Sequence, residues 1–529
     1  EQYMPTLDWI GKDKVINHHK DVPYKVLERK YSFDESGMHK EDIHSNNMII
    51  HGDNLEALKS LLPQYEGKIK CIYIDPPYNT GNEGWIYNDN VNDPKIRKWL
   101  GEVVGKEGED LSRHDKWLCM MYPRLVLLQK LLADDGAIFI SIDDNEQAFL
   151  KCVCDEIFGA RNFVAQLVWQ RTFATKNDAK YFSSEHEYVL VYAAEIEKLK
   201  IKALPKSEKQ LERYKNPDND PRGPWISTDL LRMEHRDNSV YEVPTPQGKL
   251  YKPQPGTSWR HPKEEMMALI KNNEVWFGAN GNSKPRRKKF LADVKSGIIP
   301  QTIWKHVDVG HTQEAKQQLK KILDASTDFF ATPKPVRLIN QILRIICDDG
   351  DIVLDSFAGS ATTAHAVMQS DLKLSYIMIE VEDYADTITA ERVKRVIDGY
   401  GEGKNAVDGT GGNFSYYELG SPLFLQDGTI NNDIDTAEIR KYIWYTETNG
   451  LEYTENKQEK YYIGSHNDTA YYFYYEKDKA TILDYSFLAT VNVKNQAYII
   501  YADSCALSDI DLQKWNITFK KIPRDIEHI

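Results

Sequence analysis

The sequence predicts an α/β protein built on a doubly wound, mostly parallel sheet, with an α+β insert and a small C-terminal α/β unit. Three observations predict it. Short apolar, β-branched runs alternate with amphipathic helical patterns over residues 46–170, the rhythm of successive β-α units. That rhythm is lost at about Arg171 and returns after residue 325. Three of the apolar runs give way abruptly to an acid, at Asp75, Asp355 and Glu380, and in open α/β sheets ligands bind beyond strand carboxyl ends.

Taken in order, residues 1–45 are polar and mixed and read as a surface arm, with His18 and His19 solvated on it. Met48-Ile49-Ile50 is a short strand. His51-Gly52-Asp53-Asn54 leads into a helix with Leu55, Leu58, Leu61 and Leu62 on one face, and Asp53 with Glu56 has the form of a capping box. Cys71 to Ile74 reads as a buried strand. Pro76 and Pro77 lack backbone donors and fix φ, so the chain leaves the sheet after Asp75 in a rigid, extended turn that carries Tyr78. Asn79 to about Ser112 is a polar loop. Trp117 to Leu132 is an apolar helix interrupted by Pro123, Asp134-Asp135-Gly136 a turn, Ala137 to Ile142 a buried strand, Glu146 to Phe158 a helix and Phe163 to Trp169 a strand.

Residues 171–325 hold Trp225, Trp259, Trp276 and Trp304, which read as the small core of a separate insert. The rhythm resumes at Phe329-Phe330-Ala331-Thr332-Pro333-Lys334-Pro335. Pro335 suits a first helical turn, and Val336 to Ile346 is an amphipathic helix. Asp351 to Leu354 is a strand, Asp355 to Thr363 a small-residue turn opening a helix, Tyr376 to Ile379 a strand ending on Glu380, and 386–398 a helix. Residues 326–400 thus form the second half of the sheet domain. The Gly-rich stretch 401–413 reads as a linker to a last unit, 414–529, with strands near Tyr471–Tyr475 and Ala497–Tyr501.

Composition narrows the function classes. A chain of 529 residues exceeds one core, so two to four domains are expected. No run of about 18 apolar residues exists, which excludes a helical membrane span, and the first 30 residues carry no signal-peptide core. The chain opens at Glu1, the pattern expected if a few residues were trimmed. Its six cysteines are scattered without a Cys-x-x-Cys pair or zinc-ligand spacing. The expectation is reduced thiols, no metal site and a cytoplasmic protein. The net charge of −13 is unevenly spread: residues 166–325 carry +8, leaving −21 on the remainder. Five of these positive charges are Lys284, Arg286, Arg287, Lys288 and Lys289, which marks the insert as the segment that meets a polyanion. Residues 401–529 carry −8 and suit a protein–protein contact instead.

The chemistry-bearing residues lie at the three strand ends. A small-residue turn opening a helix lets a ligand approach the backbone and favours an anion. An acid about 20 positions after such a turn suits both hydroxyls of a ribose. With Asp75-Pro76-Pro77-Tyr78 on the same sheet, the set is far more specific than any member of it.

These residues resemble the S-adenosylmethionine-dependent amino-methyltransferases of DNA. Asp-Pro-Pro-Tyr is that family's catalytic motif, and Asp355-x-Phe357-x-Gly359-Ser360-Ala361-Thr362-Thr363 is similar to its cofactor motif. The catalytic motif precedes the cofactor motif with a basic insert between, as in the family's β group, where the insert is the target recognition domain. His51 to Leu55, Asp75 to Gly81, Trp117 to Leu125 and Thr332 to Pro335 resemble the modification subunit of type III restriction-modification systems. One position departs: the family usually has Gly where Ala361 stands, and alanine is tolerated there if its φ is negative.

The resemblance implies a Rossmann-like methyltransferase sheet and S-adenosyl-L-methionine as cofactor. Asp53, Asp75, Thr332, Lys334, Asp355, Phe357, Gly359, Ser360, Thr362 and Glu380 would hold it, with Glu380 on the ribose and Lys334 on the carboxylate. Asp75 and the carbonyl of Pro76 would accept the N–H hydrogens of an exocyclic amine. That favours a pyramidal nitrogen whose lone pair faces the methyl group. Pro77 completes the rigid turn and Tyr78 stacks on a base flipped out of duplex DNA. No metal is needed. Asp before Pro-Pro-Tyr favours adenine N6 over cytosine N4, the near alternative. Other readings are a catalytically silent DNA-recognition subunit and an RNA or protein methyltransferase. The expected partners are double-stranded DNA, a second copy in a homodimer and a restriction (helicase/nuclease) subunit, with no membrane.

Overall fold

The computed structural model describes residues 6–80, 111–174, 179–206, 208–293, 297–323, 332–451, 453–454 and 459–527. The chain forms two compact units: Glu1–Lys200 with Gln301–Ile529, and Ile201–Pro300.

The first unit is built on an 11-stranded sheet. In chain order its strands are β1 (Lys25–Asp34), β2 (Gly37–His39), β3 (Met48–His51), β4 (Ile69–Ile74), β5 (Leu132–Ile142), β6 (Phe163–Gln170), β7 (His186–Ala193), β8 (Ile303–Trp304), β9 (Ile352–Asp355), β10 (Ser375–Glu380) and β11 (Asn413–Pro422). The spatial order is β8-β6-β7-β5-β4-β9-β10-β3-β11-β1-β2. From β5 through β4, β9, β10 and β3 to β11, every neighbour runs parallel. The strand β7 joins β5 antiparallel on one side, and β1 joins β11 antiparallel on the other.

The labelled helices of this unit are α1 (Asn54–Tyr65), α2 (Leu111–Leu131), α3 (Gln147–Cys154), α4 (Val336–Ile346), α5 (Thr362–Met368), α6 (Glu391–Asp398) and α7 (Thr436–Thr448). The first three share a core with Ile50, Ile72, Ile74, Ile138, Ile140, Ile377 and Ile379 on one sheet face. Strand alternation sends Ile49, Cys71, Tyr73 and Met378 to the other face, and these are equally buried. Both faces are therefore covered, as a doubly wound sheet requires. The chain passes from β4 toward β5 in one direction and from β9 toward β10 in the other. Adjacent β4 and β9 thus diverge, and the crevice beyond their carboxyl ends is the switch point where such sheets bind ligands.

Several boundaries differ from the sequence expectation. Residues 1–45 form part of the sheet edge: β1 pairs with β11 from Lys25↔Pro422 to Asp34↔Asn413. His18 and His19 are buried, each 8% exposed. Burial and the nearby lysines pull His19 down to about 4. The capping box is half made: Asp53 accepts from the Leu55 amide at 2.8 Å, but Glu56 turns to Lys25 at 2.8 Å. Pro123 lies inside a continuous α2. Asp134-Asp135-Gly136 is absorbed into β5, where a Cβ on Gly136 would meet the carbonyls of Ile69 and Lys70 at 2.8 Å. Most of the loop from Asn79 to Ser112, and Phe329-Phe330-Ala331, lie outside the described residues.

The compact insert, 201–300, is narrower than 171–325, because β7 and β8 on its flanks pair into the main sheet. It holds an antiparallel sheet of Trp225–Asp229, Arg286–Phe290 and Val275–Trp276. Leu230, Val243, Trp259, Met266 and Phe277 form its core. Residues 414–529 likewise begin inside the main sheet, with β11. Beyond it, β12 (Tyr462–His466), β13 (Thr469–Phe473), β14 (Ala497–Ala502) and β15 (Ile517–Lys521) form a four-stranded sheet.

Candidate functional site

Because β4, β9 and β10 run parallel, their carboxyl ends bring Asp75, Asp355 and Glu380 to one edge. A cavity of about 370 Å³ opens there. Its walls include Asp75, Pro76, Pro77, Tyr78, Thr332, Lys334, Asp355, Phe357, Gly359, Ser360, Thr362 and Glu380. Of the residues expected for catalysis and cofactor, only Asp53 is not in that lining. Asp53 caps α1 and pairs with Arg124 at 3.3 Å. Short-range helix capping accounts for its sequence pattern.

At the Asp75 end, Lys334 is 8% exposed and donates to both Asp75 oxygens, at 2.7 and 2.6 Å. Burial pulls its ammonium down, but Asp75 and Glu187 outweigh this and hold it above its ordinary value. The Tyr78 hydroxyl donates to Asp75 at 2.8 Å and also lies 3.1 Å from Glu187. The Trp117 indole donates to the carbonyl of Pro77 at 2.7 Å and fixes the turn against α2.

At the other end, burial pushes both acids up to about 7. Asp355 accepts from the Phe357 amide at 3.0 Å and the Thr363 hydroxyl at 2.6 Å. Glu380 accepts from the amides of Gly359, Val381 and Glu382, at 2.6, 3.0 and 3.0 Å. Ala361 caps α5 with φ +59° and ψ +38°, so the condition of a negative φ is not met. A left-handed alanine costs roughly 1–2 kcal/mol. The turn is gripped from behind: Thr389 donates to the Gly359 carbonyl at 2.6 Å, and buried Arg392 donates to Ser360 O, Ser360 Oγ and Thr362 Oγ1 at 2.9, 3.0 and 2.9 Å.

The sequence reading missed Tyr73, Thr363 and Tyr384 in the cavity wall, and Glu187 and Arg171 beside it. Thr363 belongs to the same small-residue turn and was within reach. Glu187 was not: β7 runs antiparallel to β5, so its start, rather than its end, arrives at the site edge.

The basic cluster runs from Lys284 into the strand Arg286–Phe290 of the insert. Alternation along that strand turns Lys288 and Phe290 inward. Lys288 has a side-chain exposure of 0% and pairs with Asp218 and Asp220, which removes it from the DNA-contact set. Arg286 donates to Ser227 Oγ at 3.0 Å, Arg287 pairs with Glu274 at 3.1 Å, and Lys284 with Asp229 at 3.5 Å. Lys289 is exposed. Among the described residues, no group of three or more His, Cys, Asp or Glu could hold a metal ion, and no helix is long and apolar enough to cross a membrane.

Comparison with known proteins gives the family. Curated relatives include the StyLTI Mod subunit of a type III restriction-modification enzyme from Salmonella typhimurium, 36% identical over 380 residues, covering 68% of this chain and 55% of that protein. The EcoP15I Mod subunit from Escherichia coli is 32% identical over 431 residues, covering 71% and 64%. The EcoPI Mod subunit from Escherichia phage P1 is 32% identical over 401 residues, covering 68% and 60%. The matches thus span less than two thirds of these relatives' length. The DNA methylase model, N6_N4_Mtase, matches residues 69–391, from the start of β4 through the insert to the start of α6. The chain belongs to the N6_N4_Mtase family of DNA methylases.

Proposed function

We propose that this chain transfers a methyl group from S-adenosyl-L-methionine to the N6 amine of adenine in double-stranded DNA, as the modification subunit of a type III-like restriction-modification system. The single observation that carries the proposal is the shared cavity, which joins Asp75-Pro76-Pro77-Tyr78 to the turn Asp355–Thr363 and Glu380.

The residues present fit the cofactor. The cavity is of small-molecule size. It offers the Phe357 and Tyr384 rings to an adenine, the buried Glu380 carboxylate to ribose hydroxyls, and Asp355 and Asp75 to a sulfonium charge. Thr332 lines the same wall. When bound, S-adenosyl-L-methionine supplies an electrophilic methyl group. The adenine amine is a poor nucleophile because its lone pair is conjugated with the ring. Asp75 and the Pro76 carbonyl orient its two hydrogens and Tyr78 stacks on the base; orientation, not strong base chemistry, is what the site contributes. Lys334, expected on the cofactor carboxylate, pairs here with Asp75, so its proposed part shifts toward fixing that acceptor. The target amine lies inside the duplex, so the base must leave it to reach the cavity. The insert 201–300 carries a net +7, which supports DNA contact through Lys284, Arg286, Arg287 and Lys289. The type III Mod relatives support a companion restriction subunit. A homodimer and a cytoplasmic setting belong to the same reading.

The test is methyl transfer from labelled cofactor to unmethylated genomic DNA, with nucleosides identified by mass spectrometry. N6-methyladenine is the expected product. N4-methylcytosine would replace adenine as the target. No transfer with no cofactor binding would make the chain a silent recognition subunit. Asp75→Ala and Tyr78→Ala should each abolish transfer while leaving folding intact.

A further inference from the structure

One buried acid beside the reaction centre has no place in the motifs. Glu187 is the second residue of β7, is 6% exposed, and reaches the cavity edge only because β7 is antiparallel to β5. Its Oε2 lies 3.1 Å from the Tyr78 hydroxyl and 3.7 Å from the Lys334 ammonium. Its Oε1 lies 3.2 Å from Arg171. The Tyr78 hydroxyl has one proton and two carboxylates within reach, Asp75 and Glu187. Lys334 likewise faces both acids, with the Tyr78 ring 5.0 Å and the Trp169 ring 5.9 Å from its nitrogen and the Arg171 charge opposing it.

We propose that Glu187 is a positioning residue for amine methylation: a second acceptor that takes the Tyr78 hydroxyl and the Lys334 charge when Asp75 turns an oxygen to the substrate amine. The proposal rests on the methyltransferase reading. Asp75 already accepts Lys334 on both oxygens and Tyr78 on one. A carboxylate has about four acceptor positions, so an incoming N–H can take only the one that is left unless a present donor moves away. Without Glu187, the hydroxyl and the ammonium would compete with the amine for Asp75. With it, the hydroxyl, 3.1 Å away, needs almost no movement, and the ammonium, 3.7 Å away, closes by about 1 Å onto a partner already in place. Arg171 holds Glu187 and keeps its charge matched, so the centre exchanges partners without exposing an unpaired buried group.

The experiment uses the full chain with Glu187→Gln, a near-isosteric change that keeps an acceptor for Tyr78 and removes the charge. The expected result is a fall in kcat of about 10–100-fold, with KM for cofactor and DNA within about threefold, since small misplacement at a reacting centre acts on the chemical step. The effect should be non-additive with Tyr78→Phe, because the two residues act through one hydroxyl. A second readout needs neither cofactor nor DNA: the pH dependence of Lys334 acylation, followed by mass spectrometry. Removing one of its two carboxylate neighbours should make Lys334 react at lower pH in Glu187→Gln, and Glu187→Asp should restore the original profile at least in part. An unchanged acylation profile, full additivity with Tyr78→Phe, or activity within twofold of wild type would each overturn the role. If the unaltered chain methylates nothing, the methyltransferase reading fails. The acylation profile still decides whether Glu187 is Lys334's second partner.

Discussion

The two lysines at the end of the basic cluster should behave in opposite ways. Lys288 has no exposed side-chain surface and sits between Asp218 and Asp220, 5.3 Å from the centre of the Trp225 ring. Lys289, one residue on, points out. In Lys288→Ala, Asp218 keeps the Trp225 indole at 2.9 Å, and Asp220 keeps Arg222 at 2.8 and 2.9 Å and Asn273 at 3.0 Å. Removing one partner of a buried ion pair costs about 3–5 kcal/mol. The remaining partners place this case at the lower end, about 3 kcal/mol. Local opening of the insert should then be favoured roughly 100-fold, at about 1.4 kcal/mol per tenfold. Hydrogen exchange on the full chain should show that acceleration at Trp225–Asp229 and Arg286–Phe290. Lys289→Ala should leave exchange unchanged and lower the salt slope of DNA binding by about one. If Lys288→Ala exchanges like wild type, or flattens the salt slope as Lys289→Ala does, the inward assignment of Lys288 is refuted.

Other consequences are open to equally direct measurement. Asp355, raised to about 7 in the folded chain, titrates well above its unfolded value. Its contribution to stability is therefore largest in acid and is lost as pH rises from about 4 to 7. Denaturation of Asp355→Asn should lack that loss, at most about 4 kcal/mol at 1.4 kcal/mol per unit. Because Asp355 and Glu380 both favour a cation when ionised, calorimetry should show S-adenosyl-L-methionine binding more tightly at pH 8 than at pH 6. In Ala361→Gly, relief of about 1–2 kcal/mol of left-handed strain is offset by chain entropy and a lost buried methyl, each about 0.5–1 kcal/mol. Denaturant midpoints should move little, whereas Ala361→Val should lower stability by more than about 2 kcal/mol. Arg392→Met removes three hydrogen bonds to the turn at Ser360 and Thr362 and should weaken cofactor binding about tenfold, read by the same calorimetry.

What could be read in the sequence was whatever short-range chemistry determines. Strand Cys71–Ile74 and helix Val336–Ile346 announce themselves by composition and period, and the acids at Asp75, Asp355 and Glu380 by the abrupt stops they make. The parallel sheet then brings those stops together. Partners set by long-range pairing could not be read. Lys25 to Asp34 looks like a polar arm because a sheet edge leaves half its side chains in water. Lys288 looks like one more solvated charge until its strand gives it an inward face. Glu187 has no local signature, since only the direction of β7 delivers it to Tyr78 and Lys334.

The pairing of β11 between β3 and β1 has a practical consequence for dissecting the chain. The Gly-rich stretch 401–413 looks like the natural place to cut, yet cutting there would strip an interior strand from the sheet. It would bare the hydrogen-bonding edge of β3 and leave β1 paired only with β2. A fragment ending at residue 400 should therefore self-associate through that open edge. One ending after Pro422 keeps the edge closed, so the seam between the methylase body and its C-terminal sheet lies beyond β11.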